Sequence, residues 1–461
     1  MAGLSVTVPD WLRQRAAVTP ERRALVCSGA AWSFAELDSR VDAAAAALDA
    51  RAGERVAIRA SNSAGFVVAV HALMRLGAVI VPINTRLADP EIAWQVADAG
   101  VTRVLRDDDL EAPLLVSPLR RAGQNRPFDL QAWHSIVYTS GTTGRPKGAI
   151  LTYGNHWWSA VASALNLGLL PDDAWLACLP LFHVGGLSIL LRGVISGITT
   201  VVQPRFDAAE VNRAIDEHGV SIVSVVSTML DRMLTERAGR AYPSSLRCVL
   251  LGGGPAPLPL LERATAAGVP VVQTYGLTET ASQIVTLAPE DALRRLGSAG
   301  KPLMGSEIRV GEDSEIWVRG PSVSPGYVNH PPPTEDRDGW LHTGDLGRLD
   351  GDGYLYVLDR RDDLIVSGGE NVYPAEVEAA LLAHPDVSDA GVVGVPDAEW
   401  GRRVTGVVVT HPGGNVTAEE LIAFCRRQLA GYKVPRQIEF RAALPRNAAG
   451  KLLRRELRTE R

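Results

Sequence analysis

One loop of the chain, between Tyr138 and Leu151, combines hydroxyl side chains and glycines with a single lysine. It has the sequence YTSGTTGRPKGAIL. Hydroxyl groups donate hydrogen bonds to anions, and glycines let backbone N–H groups turn closely around a phosphate. We therefore predict a phosphate-binding loop, with a Gly/Ser/Thr-rich linker as the alternative interpretation. The residues predicted to bind are Thr139, Ser140, Gly141, Thr142, Thr143, Gly144 and Lys147.

The spacing of this loop differs from that of an ordinary P-loop. A P-loop has the pattern GxxxxGKS or GxxxxGKT and leads into a helix whose N-terminus supports the phosphates. Here the residues after the lysine, GAILTY, predict a strand. The loop is therefore expected to hold its ligand without a helix N-terminus beneath it.

A second motif, YGLTET, starts at Tyr275. It places a hydroxyl and then a carboxylate, Thr278 and Glu279, at the end of a predicted strand. Such a pair suits one phosphate contact and one Mg²⁺ contact, because Mg²⁺ prefers hard oxygens shared with a nucleotide. A Thr-Glu pair that caps a helix is the alternative, and both interpretations can hold together.

The elements that must position these motifs follow an α/β pattern. Short β-branched runs such as RVAIR and AVIVPI alternate with helical stretches such as GFVVAVHALMRLG, and the order recurs later. This alternation predicts parallel sheets covered by helices, here as two stacked α/β subdomains. Turn-rich alternating strands from Lys301 to Val323 predict an appended β unit. We predict a large unit over 1–359, a joint at 360–362 and a small α+β unit over 363–461.

Composition narrows the class of protein. The 461 residues carry a net charge of −5 and a pI near 6.0, which gives no general attraction to nucleic acid. No leader pattern is visible and no apolar run approaches the roughly 18 residues of a membrane span, so no membrane insertion is expected. The four cysteines form no CxxC pair, which favours reduced thiols in a cytoplasmic protein over zinc ligands or disulfides.

Nearly the whole chain resembles the adenylate-forming enzymes, which include acyl-CoA synthetases, adenylation domains of peptide synthetases and firefly luciferase. Beside the loop, the resemblance depends on five further motifs in the family's order: LPLFHVGG, QTYGLTET, WLHTGDLGRLDGDGYLYVLDRRDDLI, SGGENVYPAEVE and PRNAAGKLLRREL. It implies that the large unit is an adenylation core with the ATP and acyl sites. It also implies that the small unit is mobile and rotates after the first of two reaction steps.

The resemblance also implies roles for single residues. Thr278 would bind phosphate, Glu279 would hold Mg²⁺, and Lys451 would bridge the substrate carboxylate and the nucleotide. Asp345 would bind ribose, and Arg360 would bind ribose or phosphate. Asp362 would be the hinge, with an exposed linker as the alternative. Tyr275 and Gly276, with the backbone of Gly253 and Gly254, would line the adenine pocket, and Gly368 and Gly369 would line the path of CoA.

The implied reaction joins a small-molecule carboxylate to CoA at the expense of ATP. The carboxylate attacks the α-phosphorus of ATP and releases pyrophosphate, and the CoA thiolate then displaces AMP. ATP, Mg²⁺ and CoA as co-substrate are the expected ligands, and a homo-oligomer is left open. A catalytically dead nucleotide sensor would be expected to lack Lys451, Glu279 or Asp345, and all three are present.

Two residues bear on which acid is used. His183, in LPLFHVGG, occupies a position that borders the acyl site in the family, with a buried core histidine as the alternative. Arg192 is a cation in the apolar run LSILLRGVIS and needs a partner, either an acidic residue elsewhere or a second carboxylate on the substrate.

The stretch GNHWWSAVASALNLG is similar to the o-succinylbenzoate-CoA ligases of menaquinone biosynthesis, which would supply that second carboxylate. The segment from Arg106 to Asn125 is poorly patterned and short for the family, which leaves other acids open. Fatty, malonic or aryl acids, or a stand-alone adenylation domain that loads a carrier protein, are the alternatives.

Overall fold

The computed structural model describes residues 6–115, 126–139, 146–254, 256–329, 338–367, 370–397, 400–447 and 450–457. Its strands are β1 Thr7–Val8, β2 Arg23–Cys27, β3 Ala30–Ser33, β4 Arg55–Arg59, β5 Val79–Pro82, β6 Arg103–Arg106, β7 Phe128–Asp129, β8 Trp133–Thr139, β9 Lys147–Thr152, β10 Ala174–Ala177, β11 Thr199–Val202, β12 Ile222–Val225, β13 Cys248–Leu251, β14 Val271–Leu277, β15 Ser282–Thr286, β16 Lys301–Pro302, β17 Glu307–Val310, β18 Glu315–Arg319, β19 Gly326–Tyr327, β20 Leu341–Leu349, β21 Leu355–Arg360, β22 Ile365–Ser367, β23 Glu370–Val372, β24 Val387–Asp397, β25 Gly401–Thr410 and β26 Gln437–Phe440.

The helices follow the same chain order. They are α1 Trp11–Val18, α2 Phe34–Leu48, α3 Ala64–Leu76, α4 Asp89–Asp98, α5 Asp107–Leu115, α6 Tyr153–Leu167, α7 Val184–Ser196, α8 Ala208–Glu217, α9 Ser227–Arg237, α10 Leu258–Ala266, α11 Pro374–Leu382, α12 Ala418–Arg426 and α13 Arg454–Leu457. None of the helices in the described ranges is both long and apolar enough to cross a membrane.

Two largely parallel sheets form the α/β part, as the alternation of strands and helices predicts. The larger has the strand order β16-β15-β14-β13-β12-β10-β11-β2-β3, and the smaller has the order β19-β9-β8-β5-β4-β6. Side chains from both sheets and from α2, α3 and α7 belong to one continuous apolar core. The predicted α/β fold class is therefore confirmed, and this core fixes the two sheets against each other.

The chain continues into smaller β-containing units. Strands β17, β18, β20 and β21 form a four-stranded antiparallel sheet, which confirms the predicted β unit. After β21 come the β22–β23 hairpin, the three-stranded sheet of β24, β25 and β26, and α11 and α12, which share an apolar core of their own.

The segment predicted to be poorly patterned is partly regular. Its first residues form α5, which begins with Asp107, Asp108 and Asp109. Carboxylates are favourable in the first turn of a helix, because the N-terminus carries a partial positive charge. The segment is therefore helical at 107–115 in spite of its weak pattern, and residues 116–125 lie outside the described part of the chain.

Candidate active site

Asp345, Tyr275 and Arg360 form a hydrogen-bonded cluster at the edge of the four-stranded sheet. The register of β20 and β21 places Asp345 opposite Arg360, and Arg360 Nε lies 2.8 Å from Asp345 Oδ1. The Tyr275 hydroxyl, at the end of β14, donates to Asp345 Oδ2 at 2.8 Å. Both carboxylate oxygens keep a free lone pair, so Asp345 can still accept hydrogen bonds from ribose hydroxyls.

The charges in this cluster shift the pKa values of its members. Burial, and then the Asp345 carboxylate, raise the pKa of Tyr275 well above its usual range. Burial alone would lower the pKa of Arg360, but Asp345 and other anionic neighbours raise it instead. Tyr275 therefore stays a neutral hydrogen-bond donor and Arg360 stays a cation.

Lys451 approaches this cluster from the small unit. Its loop is closed by an isolated bridge between Arg446 and Leu452, and Lys451 N donates to Asn447 Oδ1 at 2.9 Å. Burial, and then the neighbouring Arg360, lower the pKa of the Lys451 ammonium, whereas Asp345 raises it. Lys451 is thus near enough to Arg360 and Asp345 for their charges to act on its ammonium, an arrangement that suits an anionic group near the two cations.

Gly450 shows how closely the Lys451 loop meets the large unit. It has a left-handed φ of +78°, and an added Cβ would lie 3.1 Å from Val226 and 3.4 Å from the hydroxyl of Thr228. Gly253 and Gly254 lie across from this loop in a cleft of about 570 Å³ that Lys451 also lines. Gly276 is fixed by packing, since a Cβ there would lie 1.7 Å from the Ser282 carbonyl oxygen.

Thr278 and Glu279 lie in a single 3-10 turn, Thr278–Thr280, that follows β14. The Tyr327 hydroxyl donates to Glu279 Oε1 at 2.7 Å, and Lys147 Nζ lies 5.5 Å from the centre of the Tyr327 ring. The predicted carboxylate and the lysine of the predicted phosphate loop are thus brought to the same side of the site.

Glu279 fits a Mg²⁺ ion that is shared with a nucleotide. Within the described ranges, no three His, Cys, Asp or Glu side chains are grouped so that they could hold a metal. Mg²⁺ commonly binds through one or two carboxylates together with substrate phosphates and water, so a single carboxylate is sufficient here. Tyr327 orients that carboxylate, and its role was not anticipated from the sequence.

The predicted phosphate loop is described only at its ends. Thr139 and Lys147 are paired in the β8–β9 ladder, and the Thr139 hydroxyl donates to the Lys147 carbonyl at 3.4 Å. The strand predicted after the lysine is confirmed as β9. Ser140, Gly141, Thr142, Thr143 and Gly144 lie outside the described residues, as do Gly368 and Gly369 of the predicted CoA path.

His183 and Arg192 both belong to the α7 region. His183 is the N-cap residue of α7 but makes no capping hydrogen bond through its side chain. Burial lowers its pKa to about 4, so the imidazole is neutral near pH 7. Arg192 lies about two and a half turns further along the helix and is 2 % exposed.

Arg192 has polar and aromatic partners but no carboxylate partner in the described part of the chain. Its Nη2 donates to Ser159 Oγ at 3.2 Å, and its guanidinium lies 5.4 Å from the centre of the Trp175 ring. Burial lowers the pKa of Arg192 to about 9, which still leaves it charged at neutral pH. Of the two partners that the sequence left open, the structure supplies no acidic residue within the ranges it describes.

The predicted joint, 360–362, begins at the last residue of β21 in the four-stranded sheet. Arg360 is the final paired residue of β21, and a 3-10 turn, Arg361–Asp363, leads to β22. Asp362 is exposed in that turn. One carboxylate that sequence reasoning missed, Asp359, is 4 % exposed just before this turn. It is the residue before Arg360 in the DRRDD motif, and position within that motif was the available signal.

Comparison with known proteins agrees with this arrangement. The AMP-binding enzyme family matches residues 12–328, and the C-terminal domain of AMP-binding enzymes matches residues 376–451. A 2-succinylbenzoate–CoA ligase from Bacillus cereus (strain Q1) is 48 % identical over an alignment of 475 residues, gaps included, that covers 98 % of each chain.

Two structures of the o-succinylbenzoate CoA synthetase from Bacillus subtilis differ in how well they superpose. The complex with the acyl-adenylate intermediate OSB-AMP gives a TM-score of 0.92 at 45 % identity, covering 99 % of each chain. A double mutant bound to the product analogue OSB-NCoA gives 0.75 at the same identity and coverage. The overall arrangement described above is thus closer to that of the acyl-adenylate complex. By full-length similarity and by both of its domain matches, the chain belongs to the AMP-binding enzyme family.

Proposed function

We propose that this protein is an ATP-dependent 2-succinylbenzoate–CoA ligase that forms an acyl adenylate and then an acyl-CoA thioester. The observation that carries the proposal is that the Lys451 loop lies against Val226 and Thr228 of the large unit, with Lys451 near enough to Arg360 and Asp345 for their charges to act on it. Full-length similarity to 2-succinylbenzoate–CoA ligases supports the choice of acid. We place the reaction in the cytoplasm, where ATP and CoA are available.

In the first step, the substrate carboxylate attacks the α-phosphorus of ATP and pyrophosphate leaves. Two anions repel each other during this approach, and the cations Lys451 and Arg360 offset that repulsion. Asp345 accepts hydrogen bonds from the ribose and fixes the nucleotide beside Tyr275. Glu279 would hold Mg²⁺, whose chemistry is to neutralise charge that develops on the phosphates. Thr278, next to Glu279, is proposed to contact phosphate.

In the second step, the CoA thiolate attacks the carbonyl carbon of the acyl adenylate, and AMP leaves. By the family resemblance, Lys451 acts in the first step and the CoA path in the second, so we propose that the small unit rotates about the joint at 360–362, with Asp362 as the hinge residue. Two observations support this hinge: Asp362 is exposed, and it lies between the last paired residue of β21 and the first residue of β22.

Arg192 is proposed to bind the carboxylate of 2-succinylbenzoate that is not activated. A buried guanidinium without an anion is costly, so an anionic ligand is the natural partner. Arg192 is also close to the reaction site, because its partner Ser159 donates to the Ala281 carbonyl, directly after the Thr278–Thr280 turn, at 2.8 Å.

Buried polar groups in this region also lack a described hydrogen-bond partner. His156 is near enough to Arg192 for the cation to lower the histidine pKa, and His156 Nδ1 is buried without a hydrogen-bond partner in the described ranges. Both amide atoms of Gln283, two residues after Ala281, are also buried without a described partner. Since buried polar groups are nearly always hydrogen-bonded, this region is expected to receive a polar ligand or water.

The experiment that tests the function is a substrate panel. Purified protein is incubated with ATP, Mg²⁺, CoA and one carboxylate at a time, and both pyrophosphate release and thioester formation are measured. Selective turnover of 2-succinylbenzoate is expected. Preference for a fatty, malonic or aryl acid would refute the choice of acid. Pyrophosphate release without any CoA thioester would instead indicate an adenylation domain that loads a carrier protein.

A lysine pair provides the matched control. Lys451→Gln is expected to lower pyrophosphate release by about 100-fold or more, since it removes a cation placed for the transition state. Lys433→Gln removes a lysine of the same unit that pairs with Glu376 at 2.7 Å and is expected to leave the rate nearly unchanged. Equal losses in both variants would contradict the role given to Lys451.

A further inference from the structure

Helix α11 of the small unit lacks a cap of its own. Its N-cap residue, Tyr373, makes no capping hydrogen bond through its side chain, and Pro374 occupies the first helical position. The free N–H of Ala375 instead donates to Asp359 Oδ2 at 2.9 Å. A carboxylate at a helix N-terminus satisfies an unpaired donor and meets the positive end of the helix. Asp359 thus caps α11 from outside the helix.

The other oxygen of the same carboxylate faces Arg454. Arg454 Nη1 lies 3.4 Å from Asp359 Oδ1 and 3.0 Å from Asp363 Oδ2. The same guanidinium donates to both oxygens of Glu378, at 3.0 and 2.7 Å. Arg454 is three residues after Lys451 and 8 % exposed, so its position also fixes the end of the loop that carries Lys451.

These contacts connect the two sides of the proposed hinge. Asp359 is paired with Leu346 in the β20–β21 ladder and therefore belongs to the large unit. Ala375 and Arg454 both follow Asp362 in the chain. A rotation about Asp362 moves Ala375 and Arg454 together and leaves Asp359 behind, so it separates Asp359 from both partners.

We propose that Asp359 is a positioning residue for adenylation: it caps α11 and pairs with Arg454 across the hinge, and both contacts must break before the thioester step. This inference rests on the proposed two-step function. We call the set Asp359, Ala375 and Arg454 the hinge latch. It stabilises the arrangement in which Lys451 faces Arg360 and Asp345, without contact between Asp359 and a substrate.

The latch is also suited to opening. Burial raises the pKa of Asp359 to about 6, although Arg454 and the N–H groups of Ala375 and Arg360 favour the ionised form and Glu378 opposes it. The cost of burying the charge therefore exceeds the attraction, since the pKa is raised on balance. A carboxylate that returns to water on rotation regains its hydration, which keeps the two arrangements close in free energy.

Separate assays of the two half-reactions test the latch. Adenylation is followed by carboxylate-dependent exchange of pyrophosphate into ATP, and thioester formation by a single turnover of supplied o-succinylbenzoyl adenylate with CoA. For Asp359→Ala we expect exchange to fall about tenfold, the size of a lost cap and a lost ion-pair contact. The single turnover should not fall. Asp359→Asn, which can still accept from Ala375, should give a smaller loss of exchange in the same direction.

Glu376→Gln is the matched control. Glu376 lies in the first turn of the same helix but pairs with Lys433, within the small unit. For Glu376→Gln, the ratio of the pyrophosphate exchange rate to the single-turnover rate is expected to equal that of the unsubstituted protein. Equal losses in both half-reactions of Asp359→Ala, or no loss in either, would overturn the latch. Thermal unfolding of each variant shows whether the chain is folded.

A second measurement does not depend on the choice of acid. Energy transfer between one dye on the large unit and one on the small unit reports their relative arrangement in the presence of ATP and Mg²⁺. Asp359→Ala is expected to reduce the population with the Lys451 loop docked, and an unchanged distribution would refute the latch. If no carboxylate supports exchange in the unsubstituted protein, the proposed function fails, and this distance measurement still decides whether Asp359 holds the two units together.

Discussion

Two buried arginines of the large unit, Arg75 and Arg192, differ in what surrounds them. Arg75 Nε lies 2.8 Å from Asp10, and its two terminal nitrogens lie 2.5 Å from Asp38 and 2.7 Å from Asp42. Those carboxylates keep its pKa above the usual range in spite of burial. Arg192 has one serine hydroxyl and an indole ring, and burial lowers its pKa.

The partners of Arg75 indicate a structural role, whereas the lack of a described anionic partner at Arg192 indicates a charge that needs a ligand. The three carboxylates of Arg75 come from the start of α1 and from α2, so the arginine joins three helices of the core. Arg192 joins nothing of opposite charge in the described ranges. On the proposed function, its charge is compensated when an anionic substrate binds, which would connect its burial with specificity rather than with stability.

The largest effect is expected when the compensated arginine is removed. Arg75→Met leaves the buried Asp10 without its cation and leaves Asp38 and Asp42 with Arg13 alone, so the free energy of unfolding should fall by about 3–5 kcal/mol. Denaturant or thermal unfolding measures this loss. The Michaelis constant for 2-succinylbenzoate of the protein that remains folded should be unchanged. A loss below about 1 kcal/mol would mean that the comparison of the two arginines fails.

Arg192→Met should show the reverse pattern. No described carboxylate loses a partner, so the free energy of unfolding should change by less than about 1 kcal/mol. The Michaelis constant for 2-succinylbenzoate should rise by about 100-fold, since a buried contact between charges is removed. Steady-state kinetics and unfolding on the same preparation measure both quantities.

A shortened substrate provides the control for that variant. 3-Benzoylpropionate lacks the ring carboxylate. Its Michaelis constant with the unsubstituted protein should therefore match, within a factor of about three, that of 2-succinylbenzoate with Arg192→Met. With Arg192→Met, the Michaelis constants of the two acids should be nearly equal. Independent effects of the substitution and of the missing carboxylate would exclude direct pairing between them.

The acid stability of the protein should depend on histidines near the two arginines. Burial, and then Arg192, lower the pKa of His156 to about 3, and burial lowers that of His71, near Arg75, to about 4. The unfolded chain binds a proton at each histidine near pH 6.5, whereas the folded chain does not. The stability that each neutral histidine contributes is therefore complete above that pH and is lost as the pH falls towards 4.

Unfolding measured from pH 7 to pH 4 tests this expectation. His156→Gln should reduce the slope of stability against pH by up to about 1.4 kcal/mol per pH unit, the value for one proton. His71→Gln should act in the same direction. An unchanged slope in both variants would show that neither histidine is kept neutral by its surroundings.

The smallest effect concerns the residue that connects Arg192 to the reaction site. Ser159→Ala removes the hydroxyl that accepts from Arg192 and donates to Ala281. A hydrogen bond of this kind contributes about 1 kcal/mol, so the Michaelis constant for 2-succinylbenzoate should rise roughly fivefold. Ser163→Ala, one turn further along α6, is the control and should leave that constant unchanged. Equal changes in both variants would place the effect in the packing of α6.

The sequence predicted more about the order of elements than about contacts between distant residues. The strand after the phosphate loop and the β unit near Lys301 follow from local patterns of apolar and turn residues. The first is present as β9 and the second as β17, β18, β20 and β21. The helix Asp107–Leu115 was not predicted because its segment is poorly patterned, although its three leading aspartates suit a helix N-terminus.

Side-chain partners were harder to foresee, because they join residues far apart in the chain. Asp345 and Arg360 meet through the register of β20 and β21, which a local pattern does not specify. Tyr327 reaches Glu279 over 48 positions, and Asp359 reaches Arg454 over 95. The sequence indicated that Arg192 needs a partner, but only the fold shows that no described acidic residue pairs with it.

The pairing of Arg360 with Asp345 bears on how the charge of the site would change during the proposed rotation. Arg360 is the last residue held in the β20–β21 ladder, so a rotation of the small unit about Asp362 would leave it beside Asp345. Lys451 follows Asp362 in the chain and would move away. On this proposal the site carries two cations while a carboxylate approaches ATP, and one cation while AMP departs. The rotation proposed to admit CoA would then also weaken the hold on the leaving nucleotide.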